Sequence, residues 1–198
     1  PEVGDSLARA IAAPYLRADA TEIAIRMPLS GGRFPIDAVY DSATEEIGSH
    51  LSRGQNVAVL CEGDPFFYGS FMYVFARLSE RWPVEVVPGV SSLTACAAVT
   101  GAALAGLTDV LTVLPGPLPD GILRARLTET DAAAIIKVGR HLPRLRALLD
   151  ELGLTNQAQY VERATMDRQK VCALADAGDT VAPYFSMILV HKRGAAWV

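Results

Sequence analysis

The sequence has few cysteines and no cysteine pattern. Cys61, Cys96 and Cys172 are isolated and odd in number, with no Cys-x-x-Cys. That excludes a disulfide framework and a cysteine-built zinc site, and fits a reducing cytosol. There is no excess of positive charge either. The formal net charge is −4 and the isoelectric point about 5.4, against the strongly basic footprint of a nucleic-acid protein. No apolar run reaches the ~18 residues a membrane helix needs, and no signal peptide is expected. The sequence lacks G-x-G-x-x-G, G-x-x-x-x-G-K-[ST] and G-x-S-x-G, which argues against a nicotinamide-type Rossmann site, a Walker loop and a hydrolase elbow.

What remains is a chain that can bury a core. It is 51% hydrophobic, with a mean hydropathy of +0.24. Residues 57–61 form an unbroken apolar run, which reads as a strand buried on both faces. The run breaks at Gly63-Asp64-Pro65 and restarts as a helix over 70–78. The pattern recurs with a strand over 84–87, a loop at Pro88-Gly89-Val90-Ser91-Ser92 and a helix over 93–100. Successive strand–loop–helix units imply parallel strands, with both loops at the edge where open α/β sheets bind ligands.

Before these units the pattern predicts a helix from Ser6 that Pro14 ends or kinks, a strand over 21–27, a loop over 28–35 and a helix over 36–53 stopped by Gly54. After them it predicts strands over 109–114, 132–138, 159–163, 169–174 and 185–192, and helices over 122–128 and 143–152. The stretch 115–121 is the densest in proline and glycine and marks the expected boundary. The predicted architecture is a parallel α/β domain over 1–114 and a smaller mixed α/β domain over 115–198, with the cleft between them as the default site.

Residue chemistry alone leaves the loops open. Gly63 lets backbone approach a ligand, Asp64 offers a carboxylate and Pro65 stiffens the turn, yet the same three residues make an ordinary turn. Phe66-Phe67-Tyr68 form either a flat ligand face or core. Ser91 or Ser92 reads first as a helix N-cap, a role compatible with ligand binding. His50 reads as solvent-exposed, His191 as structural, and His141 as a loop residue beside Arg140.

The ordered set of motifs is more specific. Glu62-Gly63-Asp64-Pro65-Phe66-Phe67-Tyr68-Gly69-Ser70-Phe71-Met72-Tyr73, then Val86-Val87-Pro88-Gly89-Val90-Ser91-Ser92, resembles the tetrapyrrole (corrin/porphyrin) methylases. So do the segments 109–115, 137–143, 160–165 and 183–190. Within that family the resemblance is to the branch that methylates precorrin-2 at C(20) in cobalamin biosynthesis.

The resemblance implies a cytoplasmic homodimer that uses S-adenosylmethionine (SAM) on a carboxylate-rich tetrapyrrole. It implies no metal, no nucleic acid and no membrane. It carries cofactor contacts onto Glu62, Gly63, Asp64, Phe67, Ser91 and Ser92, and onto backbone at Val138 and Ala164. Tyr68 is then a residue for the macrocycle. Arg26, Arg33, Arg140 and Arg163 become candidates for its carboxylates, since guanidinium pairs with carboxylate in bidentate fashion. No dedicated catalytic base is implied.

The family opens with a strand and a Gly-x-Gly-Pro-Gly-Asp-Pro loop that residues 1–20 do not match. That segment is expected to be absent from this chain, with SAM binding weakened accordingly. Two alternatives stay open. One is another methylase of the superfamily, acting on a different carbon, on cobalt-factor II or on a protein side chain. The other is a non-catalytic α/β binding module.

Overall fold

The computed structural model describes residues 6–26 and 36–193. Met27, the loop over 28–35 and Arg33 lie outside them. The chain divides into two compact units, Pro1–Val90 and Ser91–Val198. The division falls at the second loop, ahead of the boundary predicted at 114/115. The stretch 115–121 is instead a turn inside the second unit, closed by Leu118 N–H on the Pro115 carbonyl at 3.1 Å.

The first unit contains α1 (Leu7–Ala12), α2 (Ile36–Ser52) and α3 (Phe71–Leu78). Ser6 caps α1 by accepting from Arg9 N–H at 3.2 Å, and Pro14 lies in the 3-10 turn Ala13–Tyr15 that follows. Gly54 adopts φ 75° just past α2, as a helix stop requires. The core is Tyr40 and Ile47 of α2 with Phe71, Val74 and Leu78 of α3. Arg77 of α3 ties the two helices at the surface, donating to Asp41 at 2.6 Å and Asp37 at 3.0 Å.

Three segments predicted as strands lie against that core with strict alternation. Ile23 and Ile25, then Val57, Val59 and Cys61, then Val84 and Val86 pack inward, while their neighbours face solvent. Among the described residues of this unit no β-ladder forms. The run over 57–61 is therefore half-buried, not buried on both faces: Leu60 is 43% exposed. Apolar alternation encodes which side of an extended chain faces the core, but not whether its backbone finds a ladder partner.

The second unit holds α4 (Ser92–Thr100), α5 (Asp120–Glu129) and α6 (Leu142–Glu151) around a five-stranded mixed sheet. Its strands are β1 (Leu111–Pro115), β2 (Ala132–Ile136), β3 (Ala158–Glu162), β4 (Lys170–Ala173) and β5 (Ser186–His191), in the order β1-β2-β5-β3-β4. β1 and β2 are parallel and joined through α5; the other pairings are antiparallel. β2, Ala132-Ala133-Ala134-Ile135-Ile136, lies between β1 and β5 and is buried along its whole length.

On one sheet face Ala133, Ile135, Tyr160 and Ile188 meet Leu123 and Leu127 of α5 and Leu142, Leu145 and Leu149 of α6. α4 lies against β3 and β5, which is why it belongs with this unit and not with the segment before it. No helix among the described residues is long and apolar enough to cross a membrane.

Candidate functional site

In the first unit the expected ligand residues Glu62, Gly63, Asp64, Phe67 and Tyr68 share one loop. Gly63 adopts φ 70°, a conformation that disfavours any side chain. Asp64 makes an Asx turn, its Oδ1 accepting from Phe66 N–H at 2.9 Å. Its Oδ2 accepts from Gly89 N–H at 3.0 Å, across 25 residues of sequence. The Asp64 carboxyl is held below the usual carboxylate range, first by the Gly89 amide and then by that of Phe66. Gly89 is obligatory here: a Cβ on it would collide with the Gly63 carbonyl and come within 3.2 Å of Asp64 Cα.

The aromatic run divides. Phe66 joins a cluster with Phe71 and Phe75, at centroid distances of 5.8 and 5.0 Å. Phe67 and Tyr68 meet edge to face at 5.1 Å, and Tyr68 is 48% exposed at φ 55°. Arg26 is exposed beside a groove of about 360 Å³ between residues 23–26 and α2, which Glu46 also lines.

In the second unit the pairing registers bring the carboxyl ends of β1, β2 and β3 and the amino end of β5 to one sheet edge. The backbone is strained there. Lys137, Arg163 and Thr165 adopt φ 56°, 46° and 65°, and Gly139 adopts 37°. Left-handed conformations at residues with side chains cost on the order of 1–3 kcal/mol each and gather at ligand sites.

Val138 follows Lys137 fully buried, and its carbonyl accepts from His141 N–H at 2.7 Å. The Ser186 hydroxyl holds this turn, accepting from Gly139 N–H at 3.3 Å while donating to the Pro183 carbonyl at 2.7 Å. Arg163 N–H donates to the Phe185 carbonyl at 2.8 Å, fixing the turn that carries Ala164. Gly116 completes the edge, its N–H on the Ile136 carbonyl at 2.7 Å. Arg140 is exposed on the turn after β2, and Arg163 lies 3.5 Å from Glu162. Ser91 is the N-cap of α4 and Ser92 its exposed first residue.

The thiols and the Tyr160 phenol are held in their protonated forms. Burial pushes the Cys96 thiol up to about 11 and also raises Cys61 and Cys172. Burial, reinforced by Glu162 at 2.9 Å, raises the Tyr160 phenol. His141 is pulled down by burial and by Arg144 and Arg140. His191 Nε2 lies 3.2 Å from Asp109, a structural contact as expected. His50 is half-buried beside Gln55, not freely exposed. Among the described residues no group of three metal-ligating side chains converges.

Sequence reasoning overlooked Gly89 and Ser186 as determinants. Pro88-Gly89 carried a signal, since glycine after proline marks a tight backbone position. Ser186 carried none, because its role depends on β5 reaching the edge beside β2.

These features define a two-unit α/β protein whose candidate loops are shaped by left-handed and glycine backbone. The model of the tetrapyrrole (corrin/porphyrin) methylases matches residues 3–177, and the chain belongs to that family. It is 42% identical over 190 residues to a precorrin-2 C(20)-methyltransferase of Sinorhizobium sp, covering 92% of this chain and 78% of that protein.

It is 42% identical over 195 residues to the cobalamin biosynthesis protein CobIJ of Mycobacterium tuberculosis (strain ATCC 25618 / H37Rv), covering 94% of this chain but only 38% of that longer protein. With the cobalt-precorrin-2 C(20)-methyltransferase of Salmonella typhimurium it shares 28% over 192 residues, covering 96% of this chain and 81% of that one.

The fold is shared with the methyltransferase CobJ at TM-score 0.61 and 22% identity, covering 93% of this chain and 81% of CobJ. It is also shared with a Thermus thermophilus uroporphyrin-III C-methyl transferase solved with S-adenyl homocysteine, at TM-score 0.55 and 23% identity, covering 78% and 73%. The chain is a methyltransferase of this family.

Proposed function

We propose that the chain transfers the methyl group of SAM to C(20) of precorrin-2, giving precorrin-3A in cobalamin biosynthesis. The observation that carries this reading is the 42% identity to a precorrin-2 C(20)-methyltransferase over 92% of the chain. The lower 28% identity to a relative named for the cobalt-bearing substrate favours the metal-free form.

The loops fit a methyl donor. SAM carries its methyl on an activated sulfonium. The protein's task is then to align a carbon nucleophile with that methyl and to exclude water, and no general base is called for. Binding through backbone is what Gly63 at φ 70° and the close Gly89 approach are suited to. We assign donor contacts to Glu62, Gly63, Phe67, Ser91, Ser92 and the backbone of Val138 and Ala164.

Tyr68, half-exposed, faces the macrocycle in this reading. Arg140 and Arg163, which lie at or beside strained turns, pair with its carboxylates. Arg26 and Arg33 are weaker substrate candidates: Arg26 shares its groove with Glu46, and Arg33 is outside the described residues. A cytoplasmic homodimer completes the proposal, supported by the family resemblance and by three cysteines outside any disulfide.

Calorimetric titration with SAM and S-adenosylhomocysteine, followed by incubation with precorrin-2 and with its cobalt complex, tests the reading. Tight donor binding and preferential methylation of the metal-free substrate are expected. Preference for the cobalt complex would move the chain to the other branch. Absence of donor binding would leave a non-catalytic module. Light scattering on the same sample reads the dimer.

A further inference from the structure

We propose that Asp64 is a positioning residue for the methyl donor: its carboxylate staples the loop over 62–69 to Pro88-Gly89, and so fixes the backbone that meets the donor. The inference rests on the reading above and replaces direct contact by Asp64, the role its place in the motif implied.

Both carboxylate oxygens are already engaged, Oδ1 by Phe66 N–H at 2.9 Å and Oδ2 by Gly89 N–H at 3.0 Å. The first bond shapes the loop locally; the second ties it to a segment 25 residues away. The approach is close enough that Gly89 has no room for a side chain against Gly63. An ideal Cβ on Gly63 would lie 3.6 Å from the Val90 carbonyl, so the two backbones run side by side at this point. Gly63 itself is held at φ 70°, next to the group that staples it.

The chemistry of the side chain suits this role. Two N–H donors converge on one side chain, and a carboxylate accepts from both because it has acceptors only. The Gly89 and Phe66 amides favour its charged form. Asparagine has one acceptor oxygen and would turn its own NH₂ toward the second N–H. Alanine leaves both amides to water.

The test uses the full chain and the variants Asp64→Ala, Asp64→Asn, Gly89→Ala and the Asp64→Ala/Gly89→Ala double. In the absence of donor, Asp64→Ala is expected to speed hydrogen exchange at the Phe66 and Gly89 amides by about tenfold or more, with Asp64→Asn between it and the unmodified chain. Donor Kd is expected to rise by at least about tenfold in Asp64→Ala, with substrate KM little changed, and the double variant is expected to bind no worse than Gly89→Ala alone.

Weakened donor binding without faster exchange at Gly89 would make Asp64 a direct ligand and overturn the proposal. So would additive losses in the double variant, or an unchanged donor Kd in Asp64→Ala. If the unmodified chain binds no SAM, the functional reading fails, while the exchange measurement still decides whether the staple exists.

Discussion

The two units solve the same packing problem differently. In the second, five extended segments are knitted into a ladder, and its interior strand β2 is buried on both faces. In the first, three extended segments with clean alternation press one side on α2 and α3 and turn the other to solvent, with no ladder among the described residues. The difference extends to the loops. An anionic carboxylate, Asp64, ties the first unit's loop, whereas a neutral hydroxyl, Ser186, ties the turn after β2. Alternation therefore encodes a packed face in the first unit and a continuous apolar run a doubly covered strand in the second, while sheet formation and loop closure depend on partners distant in sequence.

The comparison breaks most sharply in the cores. Leu145→Ala in α6 removes a fully buried side chain from a closely packed layer and is expected to cost about 4–5 kcal/mol in denaturant unfolding. Leu78→Ala in α3 is expected to cost about 2–3 kcal/mol, because the half-buried neighbours around it can relax into the cavity. Equal losses would remove the distinction between a closed and a one-sided core.

Gly89→Ala comes next. Its Cβ cannot coexist with the Gly63 carbonyl, so the donor Kd is expected to rise by about tenfold or more while the second unit's amide protection is unchanged. Ser186→Ala is expected to be milder. A neutral hydroxyl accepting at 3.3 Å is worth about 1 kcal/mol, which reads as a severalfold change in donor Kd. Arg77→Ala, between Asp41 and Asp37, is expected to lower stability only slightly, and less still in high salt.

Smallest at neutral pH are the acid effects. Asp64 and Asp109 are both held below the usual carboxylate range; for Asp109 the cause is first the Gly106 amide, then Arg193 and His191. A carboxylate with a lowered folded-state pKa contributes stability that is present above its unfolded value and is lost as pH falls through the folded one. Thermal midpoints are therefore expected to be insensitive to these two groups from pH 5 to 8 and to fall only in acid. A loss near neutrality would point to other groups.

Much of the second unit was legible from sequence. The apolar run over 132–136 reads as a strand, and Pro143 marks the first turn of α6. The strand predicted over 132–138 ends early because Lys137 turns left-handed, which no local pattern announces. In the first unit α2, α3 and the inward faces were legible, but the reading of 57–61 as doubly buried was not correct, since a short apolar run does not say what covers its second face.

The loop at 62–64 was found from its residue types. Its partner glycine was not, because the close approach of Gly89 to Gly63 is a tertiary fact. The proline-rich stretch 115–121 looked like a boundary for its composition, yet it serves as the β1-to-α5 turn.

The most direct test of the account is incubation of the full chain with precorrin-2 and SAM carrying a carbon-13 methyl, followed by nuclear magnetic resonance of the isolated product. A single labelled methyl at C(20) is the expected result. Label at a different carbon, or none in a chain that binds SAM, would contradict the assignment.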